Sequence, residues 1–176
     1  TVIINDFFED KELLSYVLNQ ADKNEDGRLS VGEARSVKSL CLDYDVESLA
    51  GLEYLENLTT FYCISCDIPA DLDLSFLTRL ETLEVTWCNL KSVKLPVSLK
   101  YLNVSHNKLK SLDLTSFPSL ETVICSKNMY LSSLSVLKGI KRLECTDTAL
   151  ETLDLTGYSS LEALAYESSS NGVLQD

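Results

Sequence analysis

The chain has 176 residues, with 27 acidic and 15 basic side chains and a formal net charge of −12. This length gives one ordinary domain with room for a small cap. The charge argues against nucleic-acid and anionic-membrane partners, because both need clustered Lys and Arg. No apolar run exceeds four residues, so no membrane insertion is expected. The single histidine, His106, argues against two-histidine metal sites and hydrolytic triads.

The first predicted element is an amphipathic helix from Asp10 to Ala21, within an N-terminal cap that covers residues 1–36. Apolar residues recur there at helical spacing; they are Phe7, Phe8, Leu14, Val17, Leu18 and Ala21.

An acidic loop, residues 22–33, follows the helix, with oxygen-bearing side chains at alternate positions around Gly27. The candidate metal ligands are Asp22, Asn24, Asp26, the backbone carbonyl of Arg28, Ser30 through a water molecule and Glu33. This spacing wraps a hard cation in oxygens and favours Ca²⁺ over Mg²⁺. The pattern resembles an EF-hand loop, and a solvated acidic turn is the alternative. A partner loop is missing from the sequence, so Leu29 is expected to pack against the first repeat.

From Val37 to residue 167 the sequence repeats with a period near 21. Seven units start at Val37, Leu58, Leu80, Leu99, Leu120, Ile140 and Leu161. The unit of Leu99, Leu102, Val104, Asn107 and Leu109 carries the pattern L-x-x-L-x-L-x-x-(N/C)-x-L, which resembles the leucine-rich repeat. The resemblance implies an α/β solenoid, a superhelix with a parallel β-sheet on its concave face and little or no helix on its convex face. The small helical, EF-hand-like cap precedes it, and residues 168–176 are expected to form a tail.

Positions within each unit are counted from zero at its first residue. Positions three and five are expected to point into the core, because side chains alternate along a strand. Position eight is expected to satisfy backbone groups at the inward turn; it holds Asp45, Cys66, Cys88, Asn107, Asn128 and Thr148. Position one alternates in charge through Glu81, Lys100, Glu121, Lys141 and Glu162, which predicts a ladder of ion pairs.

The six cysteines include a C-x-x-C pair, Cys63 and Cys66. Redox or zinc chemistry would need a depressed pKa or further ligands. The repeat explains the pair instead, since five cysteines fall at positions five and eight. Free buried thiols are therefore predicted, with Cys41 alone pointing outward.

The candidate ligand surface comprises side chains on the concave face and its rim. Its residues are Tyr62, Ile64, Trp87, Tyr101, His106 and Ile124, with Thr86 and Asn103 expected among them and Glu84, Arg142 and Glu144 as polar neighbours. They come from consecutive units and form one predicted patch. Contiguous apolar patches usually mark a binding site.

These features predict a monomeric, non-enzymatic binding module that recognises a protein, with a glycan as the other candidate ligand. The alternative function is a structural spacer or the N-terminal segment of a larger cell-surface protein. A calcium loop leading directly into short leucine-rich repeats resembles bacterial surface or secreted proteins of the Bacteroides type. That resemblance implies an extracellular or cell-surface location, as a secreted protein or a lipoprotein.

Overall fold

A computed structural model describes residues 2–167, and the predicted tail at 168–176 lies outside the described residues. A 3₁₀ turn at Asn5–Phe7 comes first, followed by helix α1 (Lys11–Ala21) and the single-turn helix α2 (Val31–Ala34). The side chain of Asp10 accepts hydrogen bonds from the N–H groups of Glu12 and Leu13, so Asp10 caps the predicted helix. No helix in this part of the chain has the length and apolar character needed to cross a membrane.

Eleven strands follow within the described residues. They are β1 (Ser39–Leu42), β2 (Thr60–Ile64), β3 (Asp71–Asp73), β4 (Thr82–Thr86), β5 (Ser92–Lys94), β6 (Tyr101–Asn103), β7 (Ser111–Leu114), β8 (Thr122–Ile124), β9 (Ser133–Val136), β10 (Arg142–Cys145) and β11 (Ala163–Tyr166). One strand of each predicted unit joins a seven-stranded parallel sheet in the order β1-β2-β4-β6-β8-β10-β11. The fold is therefore the predicted leucine-rich-repeat solenoid, and the solvent side of this sheet is its concave face.

The register of the long sheet aligns equivalent repeat positions. Leu40 pairs with Phe61, which pairs with Leu83, and the same row continues to Leu164. Positions three and five are buried in the first six units, as predicted. Leu164, in the last strand, is 49% exposed because β11 has β10 as its only neighbour in the described sheet.

Buried side chains at position eight bind the turns of neighbouring units together. The side-chain oxygen of Asn107 accepts from the N–H groups of Cys88 and Leu90 at 3.1 and 3.0 Å. Its amide nitrogen donates to three carbonyls, those of Val85, Val104 and Ser105. Asn128 repeats the arrangement one unit later. The cysteines at this position donate to carbonyls instead, so the predicted ladder is confirmed.

A second wall of short strands closes the solenoid on the side away from the long sheet. It consists of two separate pairs, β3 with β5 and β7 with β9. Helix is absent from the described part of this wall, apart from one 3₁₀ turn at Leu52–Tyr54. This agrees with the expectation of little or no helix on the convex face.

The cap packs directly onto the first repeat. The ring of Phe8 covers Gly51, whose φ is +100° and where an added Cβ would lie 2.5 Å from that ring. The other carboxylate oxygen of Asp10 accepts from the N–H of Glu47 at 2.9 Å, and Arg35 forms an ion pair with Glu56. Cap and repeats therefore share one continuous core.

The acidic loop finds its backbone partner in the N-terminal segment. Ile3 and Ser30 form an isolated antiparallel bridge, and the N–H of Ile4 donates to the carbonyl of Leu29 at 2.8 Å. From the sequence, Leu29 was expected to pack against the first repeat. Its side chain is buried, and residues 2–5 supply the backbone partner that a second loop would provide in a paired EF-hand.

The cysteines are all free thiols, and Cys41 alone is exposed, as predicted. Burial raises the pKa of the Cys145 thiol to about 11, so this thiol stays protonated. Cys63 and Cys88 lie 3.6 Å apart between their sulfurs and share a hydrogen bond. The charge ladder also forms in part, with Lys100–Glu81 at 2.9 Å and Lys141–Glu121 at 3.0 Å.

Replacing Asn107 with Ala should destabilise the fold strongly. The substitution leaves several buried backbone groups without partners, and each such group costs about 1–3 kcal/mol. We expect a loss of about 3 kcal/mol or more in the free energy of unfolding, measured by urea denaturation. Asn19→Ala, on the exposed face of α1, is the control and should change stability by less than about 0.5 kcal/mol. Equal effects of the two substitutions would contradict the role given to Asn107.

Candidate functional site

The six residues predicted as the ligand surface come together on the concave face and its rim. They belong to β2, β4, β6 and β8 or to the residues that follow these strands, and these four strands are consecutive neighbours in the sheet. Ile64 is 46% exposed and Trp87 58%. Tyr62, Tyr101, His106 and Ile124 are half-buried.

Thr86 was expected on the same surface, but it is buried. Thr86 is the last residue of β4 and breaks the alternation of burial along that strand, whereas its in-register partner Ile64 on β2 stays exposed. The prediction for Thr86 was therefore wrong, whereas Asn103 is half-buried on β6 as expected.

Position seven of successive units has a left-handed backbone, with φ between 52° and 61°. The row consists of Ser65, Trp87, His106, Lys127 and Asp147. This conformation lets the chain turn so that position eight enters the core. It costs a residue with a side chain about 1–2 kcal/mol, and a bulky side chain there is uncommon. The backbone alone would favour Gly or Asn over Trp87.

The rings of Trp87 and His106 stack on each other at this rim. Their centroids are 3.8 Å apart and their planes differ by 17°. One unit further along the same row, Lys127 and Asp147 form an ion pair of 2.5 Å. The row therefore passes from an aromatic platform to a charged pair.

The remaining side chains give the patch a polar border. Burial raises the pKa of the Tyr101 hydroxyl, and the negative charge of Glu84 raises it further. Arg142 and Glu144 form an ion pair two strands away from Tyr101. An apolar centre with a charged border is typical of a protein interface.

Cys41 is a concave-face residue that was not included among the candidate ligand contacts. It pairs in register with Tyr62 and is exposed at the first strand of the sheet. The sequence could have predicted this location, because Cys41 occupies position four of the first unit and Tyr62 occupies the same position in the second.

The acidic loop is closed by hydrogen bonds to its own backbone. Asp22 accepts from the N–H groups of Asp26 and Gly27 at 3.3 and 2.8 Å. Asn24 accepts from the same N–H of Asp26 at 3.1 Å, and Asp26 accepts from Arg28 at 2.8 Å. These contacts bring the oxygens of Asp22 and Asn24 to one side of the loop.

Glu33 holds the start of α2 in a capping box. Its carboxylate accepts from the backbone N–H and the hydroxyl of Ser30 at 2.9 and 2.7 Å, and these bonds lower its pKa. The donor set of the loop consists of oxygens and so fits a hard cation. The acidic groups are nevertheless not gathered: among residues 2–167, no three His, Cys, Asp or Glu side chains are grouped as a metal site.

Comparison with known proteins identifies the fold and no family. No protein-family model and no curated protein matches the chain. Among solved structures it is similar to the functional domain of InlJ from Listeria monocytogenes, which includes a cysteine ladder, with 22% identity and a TM-score of 0.67. The match covers 94% of this chain and 42% of that one.

Two further internalins from Listeria monocytogenes also match. Internalin C2 is 17% identical with a TM-score of 0.44, covering 94% of this chain and 97% of that one. Internalin InlF is 16% identical with a TM-score of 0.38, covering 95% and 78%. The match to the InlJ domain supports the leucine-rich-repeat solenoid fold, and this chain spans about two fifths of that domain.

Removing the ring of His106 should change the fluorescence of Trp87, the only tryptophan in the chain. His106→Ala uncovers the indole face that the imidazole shields, so we expect red-shifted emission and stronger quenching by acrylamide. Tyr130→Ala, which removes an exposed aromatic ring outside the patch, should leave the spectrum unchanged under selective tryptophan excitation. Unaltered emission of His106→Ala would argue against the stack in solution.

Proposed function

We propose that this chain is a non-enzymatic binding module that holds a protein partner on its concave face. The observation that carries the proposal is the exposed Trp87, which has a left-handed backbone and stacks on His106 at the rim of the concave face. Tryptophan and tyrosine are the side chains that most often dominate interface energetics.

Folding alone gives little reason for this arrangement. Trp87 is more than half exposed, so its burial contributes little, and its backbone conformation is unfavourable. A structural spacer would have no use for such a side chain. A partner that covers the stacked rings removes from water the apolar surface that folding leaves exposed, and this burial stabilises the complex.

A protein ligand fits the patch better than a glycan. Ile64 and Ile124 flank the aromatic rings, and aliphatic side chains add apolar area without hydrogen-bonding capacity. Glycans need many polar partners alongside an aromatic platform. We place the module outside the cell, as a monomeric secreted protein or surface lipoprotein of a bacterium, where such a solenoid presents an extended binding surface.

The double substitution Trp87→Ala with Tyr101→Ala should abolish binding of the partner. The assay compares wild-type and variant chains on an array of extracellular proteins and on a glycan array. We expect signals on the protein array that the variant loses, while its melting temperature stays within about two degrees, since these are not core positions.

The matched control is Tyr130→Ala, which removes an aromatic side chain exposed to 60% away from the patch. It should bind as the wild type does. Partners retained by the double variant would refute the concave site, and signals confined to the glycan array would reassign the ligand class. A large drop in melting temperature would show that the aromatic rings belong to the core.

We also propose that the loop at 22–33 binds Ca²⁺ and thereby stabilises the cap. Support comes from the oxygen donors of the loop and from the positive φ of Gly27 at its sharp turn. Asn5 adds a brace across the loop, donating to the carbonyl of Gly27 and accepting from the N–H of Leu29. The loop is thereby held without a second EF-hand.

Chelation should lower the melting temperature of the wild-type chain. A ligand at 100 times its dissociation constant stabilises the folded state by about 2.7 kcal/mol. Glu33→Gln should remove the response to calcium, while a glutamine at this position can still cap α2. Glu25→Gln changes a loop carboxylate outside the proposed ligand set and should keep the response. A wild-type melting curve unaffected by both EDTA and added calcium would exclude the site.

A further inference from the structure

The second wall of the solenoid is interrupted between the third and fourth repeats. Strand β5 pairs with β3 and strand β7 with β9, but β5 and β7 do not pair in the described structure. The long sheet is continuous across the same two repeats, where β4 pairs with β6. The interruption is therefore confined to one wall, and it begins after the hydrogen bond of 2.8 Å from the N–H of Lys108 to the carbonyl of Leu90, which still joins the two repeats.

The local sequence differs at the interruption. Two other strands of this wall, β3 and β7, end in a turn where an aspartate accepts from the backbone N–H two residues later, as Asp73 does from Ser75 and Asp113 from Thr115. In the third repeat the equivalent residues are Lys94 and Pro96, and proline has no N–H to donate. The unit is also short, since only 19 positions separate its first residue, Leu80, from Leu99 at the start of the next unit.

A cleft of about 350 Å³ lies between the two unpaired strands. Residues of both strands and their flanks line it, among them Lys91, Val93, Lys94 and Leu95 on the β5 side and Leu112 and Asp113 on the β7 side. Val93 and Leu95 are half-buried, while Leu72 and Leu112, in the neighbouring strands, are buried. The cleft thus has an apolar floor that the missing strand contact leaves uncovered.

Unused backbone hydrogen-bonding groups border the cleft. The N–H of Ser92 and the carbonyl of Lys94 bond to the β3 side, to Ala70 and Leu74 respectively. Because a strand in a parallel sheet uses alternate residues for each neighbour, the N–H and carbonyl of Val93 face β7. An unpaired strand edge is a template for another strand.

Lysines border the cleft, in a chain of net charge −12. Lys91 and Lys94 line it on the β5 side, and Asp113 lines it on the β7 side. Lys91 has no carboxylate within ion-pair distance among residues 2–167, and Lys94 pairs with Asp73 at 3.2 Å. The carboxylate of Asp113 lies at the far end, held by Thr115.

We propose that this cleft binds a short extended segment of a partner protein, inserted as a strand between β5 and β7. The central residue of the segment is apolar and packs on Val93 and Leu112. An acidic residue precedes it and lies near Lys91. The following residue, beside Asp113, is neutral. Backbone pairing supplies affinity and the alternate side chains supply specificity, as in other cases of strand addition.

The test uses the full chain and a capped peptide, acetyl-glycyl-glutamyl-valyl-threonyl-glycine amide. Amide resonances of residues 91–95 and 111–115 should shift in a saturable manner when the peptide is added to the ¹⁵N-labelled protein. A peptide with lysine in place of glutamate should bind about tenfold more weakly, since the charge near Lys91 is then repulsive. A peptide with an N-methylated valine should not bind, because it lacks the central N–H donor.

Substitutions provide the complementary arm. Lys91→Glu should weaken the glutamyl peptide about tenfold, and Lys11→Glu, the same change on the distant α1, should leave its affinity unaltered. The peptide controls test the proposal in the unmodified protein even if Lys91→Glu misfolds. The absence of shifts in the cleft at millimolar peptide would overturn the proposal. Equal affinity for the lysyl or the N-methylated peptide would also overturn it.

Discussion

The structure depends on how each repeat satisfies the backbone of its neighbour where the chain turns inward. A unit of about 21 residues has no core of its own, so it buries its leucines only against adjacent units. The turn after each strand leaves N–H and carbonyl groups unpaired, and Asn107 alone serves two N–H groups and three carbonyls. For position eight to reach them, position seven takes a left-handed backbone. That geometry directs the position-seven side chain out at the end of the strand, and it places Trp87 against His106.

The regular part of this architecture was predictable because the period of the leucines fixes which side chains can be buried together. The strand of every unit, the buried ladder and the free thiols followed from that period. The errors lie where the chain leaves the repeat. Thr86, the last residue of β4, is buried where alternation along the strand predicts exposure. The pairing of Ile4 with Leu29 joins residues 25 positions apart, and no local pattern encodes it. The short third unit, which contains Pro96, can be recognised in the sequence. The absence of pairing between β5 and β7 could not be recognised there, because strand pairing joins residues that are far apart in the chain.

The cap is part of the solenoid and is not an appendage. Phe8 needs the bare backbone of Gly51 beneath its ring, and Asp10 serves α1 and the N–H of Glu47 at once. The loop lies between α1 and α2, so the order of the loop governs how both helices present their apolar sides to the first repeat. Metal binding at the loop would therefore stabilise the whole cap. For this reason the proposed calcium effect is a change in the free energy of unfolding.

The two walls of the solenoid tolerate irregularity differently. Every unit contributes a strand to the long sheet, so a break there would divide the core, and its register is continuous from β1 to β11. The second wall has only paired fragments, and it can open at the third repeat without interrupting the ladder of position eight. The opening and the stacked Trp87 and His106 lie in the same two repeats on opposite walls. A strand inserted into the cleft would fix the distance between those repeats. If a concave-face partner favours one such distance, the two binding events must be linked, and the linkage must be reciprocal.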